Sequence, residues 1–154
     1  MDEYEDLEIT GRVMSDKTLL PVTITIMYAL MIVTALELAA THPGLGKSKL
    51  IIDQIRRKFR QAVTARYPDA QRGASTKVLA KAMSDERPLS FSMTIGQAWM
   101  LVSAVQLTLR HPGISADMAQ PLEDLARQFQ GSVIEIHPEA AGIIERGWNP
   151  EFDR

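Results

Sequence analysis

Five groups of residues in this sequence have the types or spacing that chemistry requires. Gly44-Leu45-Gly46-Lys47-Ser48 resembles the end of a phosphate-binding loop, in which backbone N–H groups and a lysine cradle phosphates. The full pattern needs a glycine at position 41, where Thr41 stands, and a strand before the loop, where helical periodicity runs instead. The run therefore reads as a turn feeding a helix N-terminus. His42 and His111 each precede Pro-Gly, and His137 precedes Pro138. Two matched histidines lack a third ligand at a metal-binding spacing, so they read as helix-end or turn residues and no metal or cofactor is expected. Glu37 lies in the most apolar stretch and is the one candidate for a tuned acid or base. It has no partner carboxylate in sequence and is expected to face a polar stripe or bond an arginine. With no cysteine, thiolate catalysis, disulfides and Cys-based metal sites are excluded. No catalytic constellation emerges.

The fourth group is cationic: Lys47, Lys49, Arg56, Arg57, Lys58 and Arg60, with Arg66 and Arg72 beyond. At helical spacing, positions 49, 53, 56, 57 and 60 share one solvent-facing sector, so positive charges surround the single Asp53. Such a face suits an acidic protein surface or nucleic-acid phosphates. It lacks interleaved exposed aromatics, which argues against stacking on single strands. The fifth group is Trp148 and Phe152, set around Pro150 near the C-terminal end of the sequence. They read as a strap over the bundle end or as a docking tail.

The elements that must position these groups show a duplication. Residues 24–45 align with 93–114 at an offset of 69, with ten of 22 pairs identical, and His-Pro-Gly closes both copies. One residue later in register, Arg57, Phe59, Val63, Pro68 and Ala70 match Arg127, Phe129, Val133, Pro138 and Ala140. Each copy predicts three helices. The first, over about 24–41 and 95–110, is apolar nearly all round and so central; Thr94 and Gln97 form a capping box in the second copy. The second, over about 47–66 and 117–136, is amphipathic, with Ile51, Ile52, Ile55, Phe59 and Val63 on one face and Leu122, Leu125, Phe129, Val133 and Ile136 on the other copy's. Pro121 is placed in its first turn. A shorter third helix covers about 73–84 and 138–146. Alternation is scarce, and Val133–Ile136 is the one stretch where a strand competes.

The expected fold is all-α: a single-domain bundle of about six helices from two tandem three-helix repeats with pseudo-twofold symmetry. The divisions are an acidic N-terminal segment 1–20, a basic repeat 21–87, an acidic repeat 88–147 and the aromatic tail 148–154. The 154 residues, 45% of them apolar, are enough for a core without staples. The net charge of −2 conceals a segregation of −5 over 1–16, +7 over 17–87 and −4 over 88–154. The acidic start is the reverse of a secretory signal, and the apolar run 22–40 reads as a core helix rather than a span, so a cytoplasmic, non-membrane protein is expected. The leading functional expectation is a non-catalytic protein-interaction or assembly subunit that joins a protein partner or another copy of itself through its charged faces. A sequence-indifferent nucleic-acid-binding subunit is second, and an enzyme with a site between the repeats, around Glu37 and the histidines, is third.

Overall fold

The computed structural model describes residues 3–42, 46, 48–71 and 73–145. The described chain is mostly helical: α1 (Glu3–Ser15), β1 (Leu19–Ile24), α2 (Ile26–Ala39), α3 (Ser48–Arg66), α4 (Thr76–Met83), β2 (Leu89–Thr94), α5 (Ile95–Leu109), α6 (Ala116–Ile136) and α7 (Ala140–Glu145). No described helix is long and apolar enough to cross a membrane.

The two nearly all-apolar helices occupy the centre, because no single face could satisfy them. α5 buries Ile95, Ala98, Trp99, Leu101, Val102, Ala104 and Val105, and α2 buries Ile26, Ala29, Ile32, Val33, Ala35 and Leu36. Each large aliphatic side chain so buried contributes about 1.5–3 kcal/mol. The Thr108 hydroxyl lies 2.7 Å from the Ala35 carbonyl of α2 and 2.9 Å from Ala104 in its own helix, so its one proton serves either. α3 lays Ile52, Ile55, Phe59 and Val63 onto this centre. α6 does the same with Leu122, Ala126 and Val133, while its Leu125 and Phe129 are only half-buried and Ile136 is exposed.

Four features differ from what the sequence pattern predicts or leaves open. β1 and β2 form an antiparallel pair in the register Leu20↔Met93, Val22↔Phe91, Ile24↔Leu89. These six side chains face the helices, and Pro21, Thr23, Ser90 and Ser92 face out. Period-two alternation in Leu89-Ser90-Phe91-Ser92-Met93 drives this pairing. The acidic N-terminal segment folds as α1, because Ile9 and Val13, one turn apart, are both buried against the centre. The stretch Val133–Ile136, where a strand competes in sequence, is helical within α6. Pro121 is the sixth residue of α6 rather than a first-turn residue, so the Asp117 carbonyl lacks the N–H that any other residue at 121 would donate.

The starts of α4, α5 and α6 are capped by side chains of the types that favour this position, whereas Thr25 at the start of α2 makes no such bond. Ser75 accepts from the Val78 N–H, Ser115 from the Met118 N–H, and Thr94 and Gln97 form the reciprocal capping box expected for α5. Asp16, between α1 and β1, accepts from the Thr18 N–H at 2.8 Å and lies 2.6 Å from His137 Nε2, joining the α1 end to the α6–α7 turn. The Thr18 hydroxyl and N–H, then His137, pull its carboxyl from 3.8 down to about 2. A carboxyl lowered on folding stabilises the fold above its unfolded value, and that contribution disappears as pH falls through its folded value. The melting temperature is therefore expected to drop between about pH 4 and 2, and Asp16→Asn should flatten that drop while lowering the neutral-pH value. Circular dichroism melts across this window check it; an unchanged slope in the variant would assign the acid sensitivity to other carboxylates.

Candidate functional site

α3 carries the cationic residues, and its packing sends them in different directions. Lys49, Asp53, Arg56 and Arg60 lie one turn apart along the edge next to α2, where Glu37 sits. Arg56 Nη1 is 3.7 Å and Arg60 Nη2 3.3 Å from the same Glu37 oxygen, and Arg56 also pairs with Asp53 at 3.7 Å. Arg56 and Arg60 are thus only 20% and 22% exposed, a correction to the solvent-facing sector expected of them. The carboxylate on the apolar helix draws both guanidiniums down, and the Arg60 Nε is buried with no hydrogen-bond partner. Glu37 bonds arginines, as its residue type and position suggested. Lys49 and Arg57 stay exposed, and no carboxylate among the described residues lies within ion-pair distance of either. A shallow depression of about 330 Å³ between Glu37, Lys49, Asp53 and Arg56 opens beside them.

Lys58 leaves by the opposite edge. Its Nζ donates to the Ser92 carbonyl of β2 at 3.1 Å. Two turns further on, Arg66 donates to the Arg87 and Pro88 carbonyls at 2.8 and 3.1 Å. α3 therefore runs antiparallel to β2, clasped to it at both ends. Between the clasps lies an open groove of about 760 Å³, floored by Ala62 and Ala65 and walled by Leu89 to Ser92. Phe59 meets Phe91 edge-to-face below it, with ring centres 4.9 Å apart.

Asp85 anchors the link between the two halves, and no motif in the sequence marks it. Its carboxylate, 7% exposed, accepts from the Tyr67 hydroxyl at 2.8 Å and from the Arg87 N–H, Nε and Nη2 at 3.0, 3.0 and 2.8 Å, and it lies 3.5 Å from Arg66 Nη1. The Arg87 guanidinium above all, with its N–H and Tyr67, holds this carboxyl well below the ordinary carboxylate range. It stays ionised and fully bonded, which suits a latch and not a proton carrier.

A second groove, about 450 Å³ and mainly apolar, opens between α2, α4 and α6, where Met27, Met31, Met83 and Met118 converge. Methionine's flexible thioether suits surfaces that adapt to more than one shape.

His111 Nδ1 accepts from the Gly113 N–H at 2.9 Å within its turn, and His137 engages Asp16 and Glu139. Among the described residues no group of three or more His, Asp or Glu side chains is arranged to hold a metal ion. In the GKS-like run, Gly46 has a positive φ of 51° and Ser48 opens α3, while Lys47 lies outside the described residues. Arg72, Trp148 and Phe152 also lie outside them. No protein-family model matches the chain, and neither a curated protein nor a solved structure is significantly similar to it.

Proposed function

We propose that the protein is a non-catalytic, cytoplasmic interaction subunit that docks an acidic protein surface on the unpaired cations of α3. One observation carries this reading: Lys49, Arg57 and Lys58 remain without a carboxylate partner among the described residues, while Arg56 and Arg60 on the same helix are neutralised within the chain. The unpaired charges are therefore few and spaced, which suits recognition of particular carboxylates more than tracking of a phosphate backbone. The nucleic-acid reading keeps Lys49 and Arg57 as phosphate contacts and loses the two arginines held by Glu37. Affinity capture with the wild-type chain and with a Lys49→Glu/Arg57→Glu double variant, each with and without nuclease, separates the two. The expected result is a nuclease-resistant acidic protein that the variant fails to retain. Co-purifying nucleic acid, or equal retention by the variant, would overturn the reading.

We further propose that the halves arose by duplication with a pseudo-twofold axis through the β1–β2 ladder. The order strand, long apolar helix, amphipathic helix, short helix occurs in both halves. Val22 and Phe91 pair within the ladder and are 69 residues apart, the same offset that aligns the two apolar helices in sequence. Thr25 and Thr94, matched at that offset, are the N-cap residues of α2 and α5.

A further inference from the structure

We propose that the groove between α3 and β2 binds an extended acidic segment of a partner protein as a third strand of the sheet. This rests on the interaction reading above and specifies which partner chemistry fits. The ladder decides which backbone groups are free. The Ile95 N–H donates to the Thr18 carbonyl at 3.0 Å, one step beyond the last paired residues, and antiparallel bonds alternate along the chain. Phe91 and Met93 therefore bond β1, and the N–H and C=O groups of Ser90 and Ser92 point outward along the free edge. Among the described residues, Lys58 on the Ser92 carbonyl is the one contact made there. The free edge of β1 is blunted by Pro21, which has no N–H to offer; its ladder partner on β2 is Ser92, which has one. The two edges of the sheet are thus unequal, and the open one overlooks the groove.

α3 supplies a floor under a strand added at that edge. Lys58, Ala62, Ala65 and Arg66 form one stripe along the helix, small in the middle and cationic at both ends, because Asp85, 3.5 Å from Arg66, is shared with Arg87 and leaves the two arginines one positive charge in excess. Eight residues of helix span about 12 Å. Side chains four residues apart on a strand are about 13 Å apart on the same face. A segment with carboxylates at positions i and i+4 and an aliphatic residue at i+2 would place acids on Lys58 and Arg66 and its central side chain over Ala62, Ala65 and Phe91. This pattern reads the same in both chain directions. Backbone bonds to Ser90 and Ser92 would supply affinity, and the spaced charges would supply selection.

The test uses the full chain and the labelled peptide Thr-Glu-Thr-Val-Thr-Glu-Thr, with terminal charges blocked. Wild type is expected to bind it, with slowed exchange of the Ser90 and Ser92 amides. Lys58→Glu should weaken binding about tenfold or more by removing a desolvated charge partner. Ser92→Pro is the decisive variant. It deletes one outward N–H, leaves every charge and every β1–β2 bond in place, and copies what Pro21 already does across the ladder. It too should lose binding about tenfold or more, with an unchanged circular dichroism spectrum. No binding by wild type would show that Lys58 only guards the edge, and would overturn the proposal. Equal binding by Ser92→Pro would overturn strand addition. Self-association of the wild type that Ser92→Pro abolishes would assign the edge to a second copy and overturn a foreign occupant. Retention of the captured partner by Ser92→Pro, with loss by Lys49→Glu/Arg57→Glu, would remove this proposal and leave the interaction reading standing.

Discussion

Phe59→Ala is expected to cost about 3–5 kcal/mol of folding stability, the range for truncating a fully buried aromatic. Phe59 has no exposed surface, lies at the centre of the α3 apolar face and meets Phe91 of β2 edge-to-face. Its removal leaves a void at the junction of helix and sheet and forfeits an aromatic pair worth about 0.5–1.5 kcal/mol beyond its area. A domain of this size typically has about 5–15 kcal/mol in total, so the variant should unfold at a clearly lower urea midpoint with an unchanged slope. The matched Phe129 of α6 is only half-buried. Phe129→Ala should therefore cost less than Phe59→Ala, and the reverse order would contradict the burial described for the two helices.

Gly96→Ala is expected to destabilise although it improves helix propensity. Gly96 is the second residue of α5, and its N–H donates to the Asp16 carbonyl at 3.2 Å. A Cβ there would lie 2.2 Å from the Met14 carbonyl oxygen and 2.9 Å from the Met14 carbonyl carbon. Both neighbours are backbone, so no rotamer relieves the overlap and the end of α1 must lift off α5. Overpacking of this kind costs about 1–3 kcal/mol and sometimes more, against about 1 kcal/mol gained from propensity. Gly131, inside α6, is the control, because a Cβ added there would meet nothing within 4 Å. Gly131→Ala should gain about 0.5–1 kcal/mol. Opposite signs for the two substitutions in urea titrations, with amide exchange in α1 accelerated only by Gly96→Ala, would bear this out. A stabilised Gly96→Ala protein would show that α1 does not rest on α5 as described.

The helices of the two repeats were legible, and α1 was not; the limits of α2, α3, α5 and α6 fall within about two residues of those read from apolar periodicity. The sheet was not, although Leu89 to Met93 alternates cleanly, because its partner offers a weaker pattern. Leu19-Leu20-Pro21 breaks alternation, and proline argues against a strand unless that strand is an edge, which β1 is. The basic sector of α3 was also legible, but the state of its charges was not. Whether Arg56 and Arg60 are free depends on Glu37, about twenty residues away on another helix, and helical spacing within α3 carries no information on that neighbour. Asp16 and His137 meet across 121 positions, a distance over which sequence pattern is silent without homologous pairs to compare. The edge geometry at Ser92 follows only once the register is known.

The ladder that joins β1 to β2 has a kinetic consequence. Its nearest paired residues, Ile24 and Leu89, enclose a loop of 64 residues, whereas each helix closes its contacts within a few. Closing a flexible chain of that length costs about 3.7 kcal/mol in entropy before any strand bond forms. Helices form in microseconds or less and are the early structure here, and the strand pair waits on their docking. Substitutions at Val22 or Phe91 should then leave the folding rate almost unchanged and appear mainly as faster unfolding. The ladder acts as a late fastener, and the lifetime of the folded chain, more than its rate of formation, is set there.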